Sequence, residues 1–307
     1  MDVNEEHRIL PPLVLAWDDL PAGVRERWLE QVREVAIPPI LGPTNLSELL
    51  SENVDPRELT RRISRDPLLA GRILAVANSA AMGLIKRVTS LERAVVHLGT
   101  NLVQTIVVCY QLEMILRQWP NYPREHFNYV RAWSAGAAVL AQHIGAAAKC
   151  AEPCVLSTAA LLTRLGTLLL GIAQPAPGLE YRQQPNEIAR LELEWRLWGV
   201  HTAALSAQLA QHWGLPEPLP TLLKRHAEPL CVESELGSAG RDLLVVSVAV
   251  VLTASYLNSE KADPRFVLDR VAYETLKSNL KRLNLHDLVI STWAVPRVQR
   301  ELAAATE

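Results

Sequence analysis

The sequence predicts an all-α fold, a multi-helix bundle, on three observations. Phe, Tyr and Trp make up only 5% of the 307 residues, and period-two alternation, the mark of a half-buried strand, is hard to find. Apolar residues recur at helical spacing instead. The helical stretches are closed off by capping and breaking residues at short intervals. Hydrophobic residues at 49% and charged residues at 21% fit a chain with a packed core and exclude a disordered one. Lys and Arg number 31 against 33 Asp and Glu, a net charge of −2. A general electrostatic nucleic-acid binder needs a basic surplus, so no DNA partner is expected.

The elements follow in order. In Ser64-Arg65-Asp66-Pro67, Asp66 reads as an N-cap and Pro67 as a first helical residue. Leu69, Ile73, Val76 and Ala77 then share a helical face. Thr89-Ser90-Leu91-Glu92 reads as a capping box ahead of Leu91, Ala94, Val95 and Leu98, and Gly99 closes that helix. Thr100 opens the next helix, through Leu102, Val103, Ile106, Val107 and Tyr110. Breaks at 119–123 and 174–178 bound an alanine-rich block from His126 to Ala173. A third block runs from Asn186 to Ala227, interrupted at Gly214-Leu215-Pro216. The last block predicts helices near 241–258, 264–283 and 286–300.

No membrane span is expected. The longest uncharged apolar run, Leu243 to Leu257, falls short of the ~20 residues a span needs and reads as a buried core helix. The N-terminal MDVNEEHRIL carries acids where a signal peptide carries bases, and has no apolar h-region. Four cysteines form no disulfide framework, and Cys150-x-x-x-Cys154 lacks the C-x-x-C spacing of metal and redox motifs. Cys109 and Cys231 read as core. These features predict a cytoplasmic protein.

The stretch from Ile37 to Leu98 resembles the N-terminal half of the HDOD family, the HD-related output domain of bacterial signalling proteins. Ile37-Pro38-Pro39-Ile40 and 59–67 match first. Arg72-Ile73-Leu74-Ala75-Val76-Ala77-Asn78-Ser79-Ala80, Gly83 and Val88-Thr89-Ser90-Leu91-Glu92-Arg93-Ala94 match best. The likeness continues through 161–170, Glu194, Gly199-Val200-His201, Trp213-Gly214-Leu215-Pro216 and His226. It implies an N-terminal extension at 1–36 and an HDOD-like domain at 37–230, split into a helical half at 37–118 and a degenerate HD-like half at 126–230. A C-terminal helical extension at 231–307 is expected to pack on that domain.

The departures bear on chemistry. The family's relatives, the HD metal phosphohydrolases, bind metal through an adjacent His-Asp pair, and here Thr163-Arg164 stands at that place. Trp133 precedes Ser134 where the family places His, and His226-Ala227 stands for a His-His pair. Thr163 is a poor ligand, and Arg164 is a permanent cation without an acceptor. The resemblance therefore implies no catalytic residue, no cofactor and no metal, with the HD ligands replaced by Trp133, Thr163, Arg164 and Ala227.

Candidate pocket residues are Trp133, Ser134, Arg164, Glu194, His201 and His226. Arg164 either pairs with Glu194 or grips a phosphate or carboxylate of a ligand. His201 and His212 on one helix would share a face yet sit ~16 Å apart, too far for one ion; His226 lies past the Gly214-Leu215-Pro216 break and can fold back towards His201. Residues 57–93 hold eight Lys or Arg against three acids. That surplus makes Arg61, Arg62, Arg65, Lys86 and Arg87 candidates for a partner surface, or a solvated helix face. Trp195, Trp198 and Trp213 read as core.

Three functions are compatible with these residues. The first is a non-catalytic regulatory module acting through protein partners in a bacterial signalling pathway. The second is a sensor of a small anionic ligand or nucleotide in the remodelled HD pocket. The third is a metal-dependent phosphohydrolase.

Overall fold

The computed structural model describes residues 17–34, 55–64, 66–79, 82, 87–116, 119, 122–173, 178–215, 217–231, 240–258 and 263–306. Every regular element among them is a helix. The first group is α1 (Ala22–Glu34), α2 (Pro56–Ile63), α3 (Pro67–Ala77), α4 (Leu91–Leu98) and α5 (Thr100–Leu116). The middle group is α6 (Arg124–Ala147), α7 (Pro153–Leu162), α8 (Leu165–Ala173), α9 (Gly178–Arg182), α10 (Glu187–Trp198), α11 (Thr202–His212), α12 (Leu219–Arg225) and α13 (Glu228–Cys231). The last group is α14 (Gly240–Asn258), α15 (Pro264–Leu268), α16 (Glu274–Arg282), α17 (His286–Trp293) and α18 (Pro296–Thr306).

The helix starts follow cap chemistry. The Asp66 carboxylate accepts from the backbone N–H groups of Leu68 and Leu69, and Pro67 takes the first helical position. The cap of α4 is displaced by one residue from the predicted box. Ser90, not Thr89, is the N-cap, accepting from Arg93 N–H at 3.3 Å, while Glu92 takes the Ser90 hydroxyl instead of closing a box. Gly99 ends that helix at φ 79°, a conformation open to a residue without Cβ. Asn78 at the end of α3 accepts from Val88 N–H at 2.7 Å and donates to Val88 C=O and Leu74 C=O, both at 2.8 Å. One side chain thus fastens the far end of the 79–87 connection to the helix. The matched segment Ile37-Pro38-Pro39-Ile40 lies outside the described residues.

The core is built around α6. Its stretch Ser134-Ala135-Gly136-Ala137-Ala138 is buried, and its small side chains let α7, α14 and α18 approach closely. A Cβ on Gly136 would stand 2.6 Å from Thr253 Cγ2 and 3.0 Å from Leu302 Cδ1, so the glycine marks a close crossing of α6 with α14 and α18. The C-terminal helices pack on this axis rather than extending away from it. His143 of α6 meets Glu301 of α18 at 2.7 Å. The described part of the N-terminal extension also packs inward. Trp28 and Val32 of α1 are buried against α11 and α8, and the Arg27 guanidinium donates to Trp198 C=O at 2.9 Å.

Two predicted helices are broken. The 264–283 segment divides into α15, a 3-10 turn at Val271–Tyr273 and α16. The turn buries Tyr273, whose hydroxyl accepts from Glu187 N–H at 3.0 Å. The 286–300 segment divides at Pro296, which lacks the N–H that a continuous helix needs. Two stretches, 153–173 and 240–258, are long and apolar enough to cross a membrane by length and composition. Their apolar windows are 83% and 78% buried within the fold, as core helices are. Cys109 is buried, whereas Cys231 is only half-buried, at the rim of the core; all four cysteines are free.

Asp66→Ala removes the acceptor of two N–H groups and should cost about 1 kcal/mol, while Asp66→Asn retains most of it. Urea unfolding of the two variants checks this; equal stability of Asp66→Ala and wild type would refute the capping role.

Candidate functional site

Arg164 occupies the gap between α7 and α8, where the two apolar helices break for two residues. The Ser206 hydroxyl of α11 spans the break, donating to Thr163 C=O and accepting from Gly166 N–H, both at 2.8 Å. A Cβ on Gly166 would lie 2.3 Å from Thr202 C=O, so only glycine permits α8 and α11 to meet there. The break turns the Arg164 side chain into the protein, where it is 1% exposed.

Its partner is Glu187, not the Glu194 that the sequence suggested. Arg164 Nη2 donates to Glu187 Oε1 at 2.5 Å and Nη1 to the Tyr181 hydroxyl at 3.3 Å. Glu194 is already saturated: its carboxylate accepts from Tyr181 O–H at 2.9 Å, Thr202 N–H at 2.8 Å and Thr202 O–H at 2.9 Å. Tyr181 therefore links the arginine to the second carboxylate. Glu187 also faces Arg190 Nη1 at 3.5 Å. Both guanidinium groups lie over the Trp133 ring, with Cζ 3.5 Å and 4.7 Å from its centroid, in cation–π contact. The indole N–H donates to Val250 C=O at 2.9 Å, which fixes the ring between α6 and α14. Arg164, Arg190, Glu187 and Glu194 thus form a buried, charge-balanced cluster.

The pKa directions follow from that balance. Burial works against the charge on Arg164, but Glu187, Tyr181 and Glu194 outweigh it and raise its affinity for the proton. Burial likewise opposes Glu194 ionisation, and the His201 ring, the Thr202 N–H and Arg164 overcome it, holding the carboxyl below the usual range. His226 is pushed down to about 4 by burial and by Arg164. It is neutral at pH 7, and its Nδ1 donates to Leu223 C=O at 2.8 Å. Burial and Arg182 push His126 down to about 4 as well.

The remaining predicted residues fall unevenly. His201 is buried beside the cluster, its ring stacked on Trp195 at 5.6 Å and its Nδ1 3.7 Å from Glu194 Oε2. His226 folds back into the field of Arg164 and Glu194. His201 and His212 bracket one helix: His201 is the buried N-cap of α11, while His212 is its exposed last residue. Ser134 is buried in α6, and Trp198 is core. Among the described residues, no three His, Cys, Asp or Glu side chains form a group that could hold a metal ion. Arg164 and Trp133 present a guanidinium and an indole at this centre, neither of which is a metal ligand.

The candidate partner surface is partly self-neutralised. Glu58 accepts from both Arg61, at 2.6 and 2.7 Å, and Arg62, at 2.8 Å, and these two hold its carboxyl down to about 2. Arg87 is exposed, and Arg65 and Lys86 lie outside the described residues. Sequence reasoning missed Glu187, Arg190 and Tyr181. The first two left a signal, since Glu187, Arg190 and Glu194 repeat at i, i+3 and i+7 on one face of α10.

The family model described as the HDOD domain matches residues 44–229, more than half of the chain. The chain belongs to the HDOD family. A relative from Treponema pallidum (strain Nichols), uncharacterized, is 26% identical over 190 residues, which is 60% of this chain but only 36% of that protein. In fold, the chain is similar to an HDOD domain protein of unknown function from Geobacter sulfurreducens, with TM-score 0.60 and 17% identity over 91% of this chain and 97% of the other. A candidate phosphohydrolase from Shewanella amazonensis SB2B gives TM-score 0.57 and 20% identity over 91% and 97% of the two chains. A candidate signal transduction protein from Marinobacter aquaeolei VT8 gives 0.56 and 18% over 89% and 66%. The shared fold extends past residues 44–229, so the C-terminal helices of this HDOD protein are part of it. Family and fold fit a signalling module.

Two predictions follow from the charged cluster. Arg164→Met strands Glu187 in the core and should cost about 3–5 kcal/mol; adding Glu187→Gln should restore part of it. Urea denaturation of the single and double variants reads this coupling, and additive losses would contradict it. Second, His126 and His226 take up protons near 6.5 when unfolded but only near 4 when folded. Their contribution to stability is therefore complete above pH 6.5 and is lost as pH falls. Between pH 6.5 and 4.5, before Glu194 begins to matter, the decline should approach ~1.4 kcal/mol per pH unit for each histidine. Stability profiles of wild type and of His126→Gln/His226→Gln test it; identical slopes in that window would overturn the assignment.

Proposed function

We propose that this HDOD protein is a non-catalytic bacterial signalling module that acts through protein contacts in the cytoplasm. The observation that carries the reading is the Arg164–Glu187 pair buried at the place matched to the HD metal ligands. Metal-assisted phosphoester hydrolysis needs a cation with an open position for water. A tethered guanidinium supplies the positive charge without one, and its two Nη groups already bond Glu187 and Tyr181. The same engagement argues against a ligand gripped by Arg164. A metal-dependent phosphohydrolase has no observation in its favour at this centre.

The partner surface assigned by this reading lies on α2, α3 and α4, which pack on one another. Arg57, Arg61, Arg87 and Arg93 are exposed there, together with Leu68 at 64% and Val96 at 76% exposure. Exposed apolar side chains beside Arg57, Arg87 and Arg93, which pair with no acid among the described residues, suit a partner with an acidic, partly apolar face.

Affinity capture of the tagged protein from its native cell, read by mass spectrometry, tests the reading. A recurrent partner at near-equal amount, retained in chelator and weakened by Arg57→Glu/Arg87→Glu without loss of stability, is expected. Stoichiometric transition metal in the purified protein, with chelator-sensitive phosphoesterase activity, would refute it.

A further inference from the structure

A second polar feature adjoins the buried cluster and is used by none of the readings above. A cleft of about 360 Å³ opens between the segment leading into α10, the C-terminal end of α14 and the turn before α16. That volume falls at the lower end of small-molecule sites. Arg182, Arg190 and Arg270 line it, with Asn186, Asn258 and Tyr273, and no carboxylate is among its lining residues.

Two of the three guanidinium groups, those of Arg182 and Arg270, are poorly compensated, and the third belongs to the charge-balanced cluster. Arg190 is buried and shares Glu187 with Arg164 at 3.5 Å. Its Nη2 donates to the Tyr129 hydroxyl at 3.1 Å and to Gln184 C=O at 3.3 Å, but its buried Nε has no hydrogen-bond partner. Arg182 meets only Glu125, at 3.3 Å, and Glu125 is 84% exposed, so that pair contributes little. The buried Arg182 Nε also lacks a partner. Among the described residues, no acid pairs with Arg270. Two weakly compensated cations lining one cavity favour an anion between them. Guanidinium forks match the oxygens of a phosphate better than any other common anion.

The rest of the wall is polar and uncharged: Gln183, Asn186 and Asn258 line it with side-chain amides, which both donate and accept hydrogen bonds. A ligand that fills the cleft therefore needs an anionic end for the arginines and hydroxyl groups for the amides. We infer that this cleft binds a small phosphorylated metabolite bearing hydroxyl groups, such as a sugar phosphate, with Arg182 and Arg270 holding the phosphate and the buried Arg190 behind them. The site is distinct from the Arg164 centre, and Glu187 connects the two. The inference concerns equilibrium binding and does not depend on whether the protein is catalytic or which partner it meets.

Isothermal titration of the full chain with ribose 5-phosphate and with inorganic phosphate tests it. Wild type should bind ribose 5-phosphate, and inorganic phosphate more weakly, since it carries no sugar hydroxyls for the Gln183, Asn186 and Asn258 amides. Arg270→Ala, at an exposed rim position, should melt at the wild-type temperature and weaken ribose 5-phosphate binding about tenfold or more. Sodium chloride at matched ionic strength should not reproduce the heat. Equal binding by wild type and Arg270→Ala, equal affinity for the two probes, or no binding at millimolar concentration would each overturn the assignment. None of these outcomes bears on partner capture, so the two proposals fail separately.

Discussion

A guanidinium placed where no water reaches imposes its own geometry on everything around it. Arg164 cannot lose its proton, so its charge has to be met on each side. Glu187 meets it from the start of α10, Tyr181 from α9 and the Trp133 ring from α6. Each of these groups is then held in turn. Tyr273 takes the Glu187 N–H, Val250 takes the Trp133 N–H, and Glu194 takes the Tyr181 hydroxyl proton. A buried ion pair adds little net stability after desolvation. What this one supplies is alignment, because few arrangements of these helices bring Glu187, Tyr181 and the Trp133 ring around one guanidinium at once.

The sequence made the fold legible because the residues that carry the family likeness are mechanical ones. Asn78 binds both ends of a connection, and Ser90 starts the helix that follows it. Such roles depend on local spacing, which a sequence displays directly. The capping box was read one residue early because Thr89 and Ser90 are both competent caps, and only the path of the chain selects between them. The breaks in the C-terminal helices were hidden for another reason. Pro296 was visible but is tolerated at a first helical turn, so it marks a new start as readily as a kink. The turn at Val271–Tyr273 answers a need 86 residues away, the Glu187 N–H.

The charged centre was only half legible. An ion pair for Arg164 could be read from the sequence. Its partner could not. Glu187, Arg190 and Glu194 at i, i+3 and i+7 describe a buried charged face and a solvated one equally well. The discriminating residue is Trp133, on a helix that precedes α10 by a long stretch of chain. Counting charges misled at 57–93 for a related reason. A count treats arginines as free, whereas Glu58 holds Arg61 and Arg62 together, and Arg72 meets Glu113 at 2.7 Å.

Helix α10 gives the two polar regions a common frame. Over its 12 residues, ~18 Å at helical rise, it carries Glu187 to Arg164, Arg190 to the cleft and to Trp133, and Glu194 to Tyr181 and the N-terminus of α11. These contacts lie on one face of a single rigid element. A shift of Arg190 towards an anion in the cleft alters the charge that Glu187 shares between two arginines, and hence its hold on Arg164. Displacing Arg164 in turn disturbs the α7–α8 break that Ser206 spans and the indole that joins α6 to α14. An anion bound in the cleft as proposed would therefore act on the packing of the core helices through side chains already in contact.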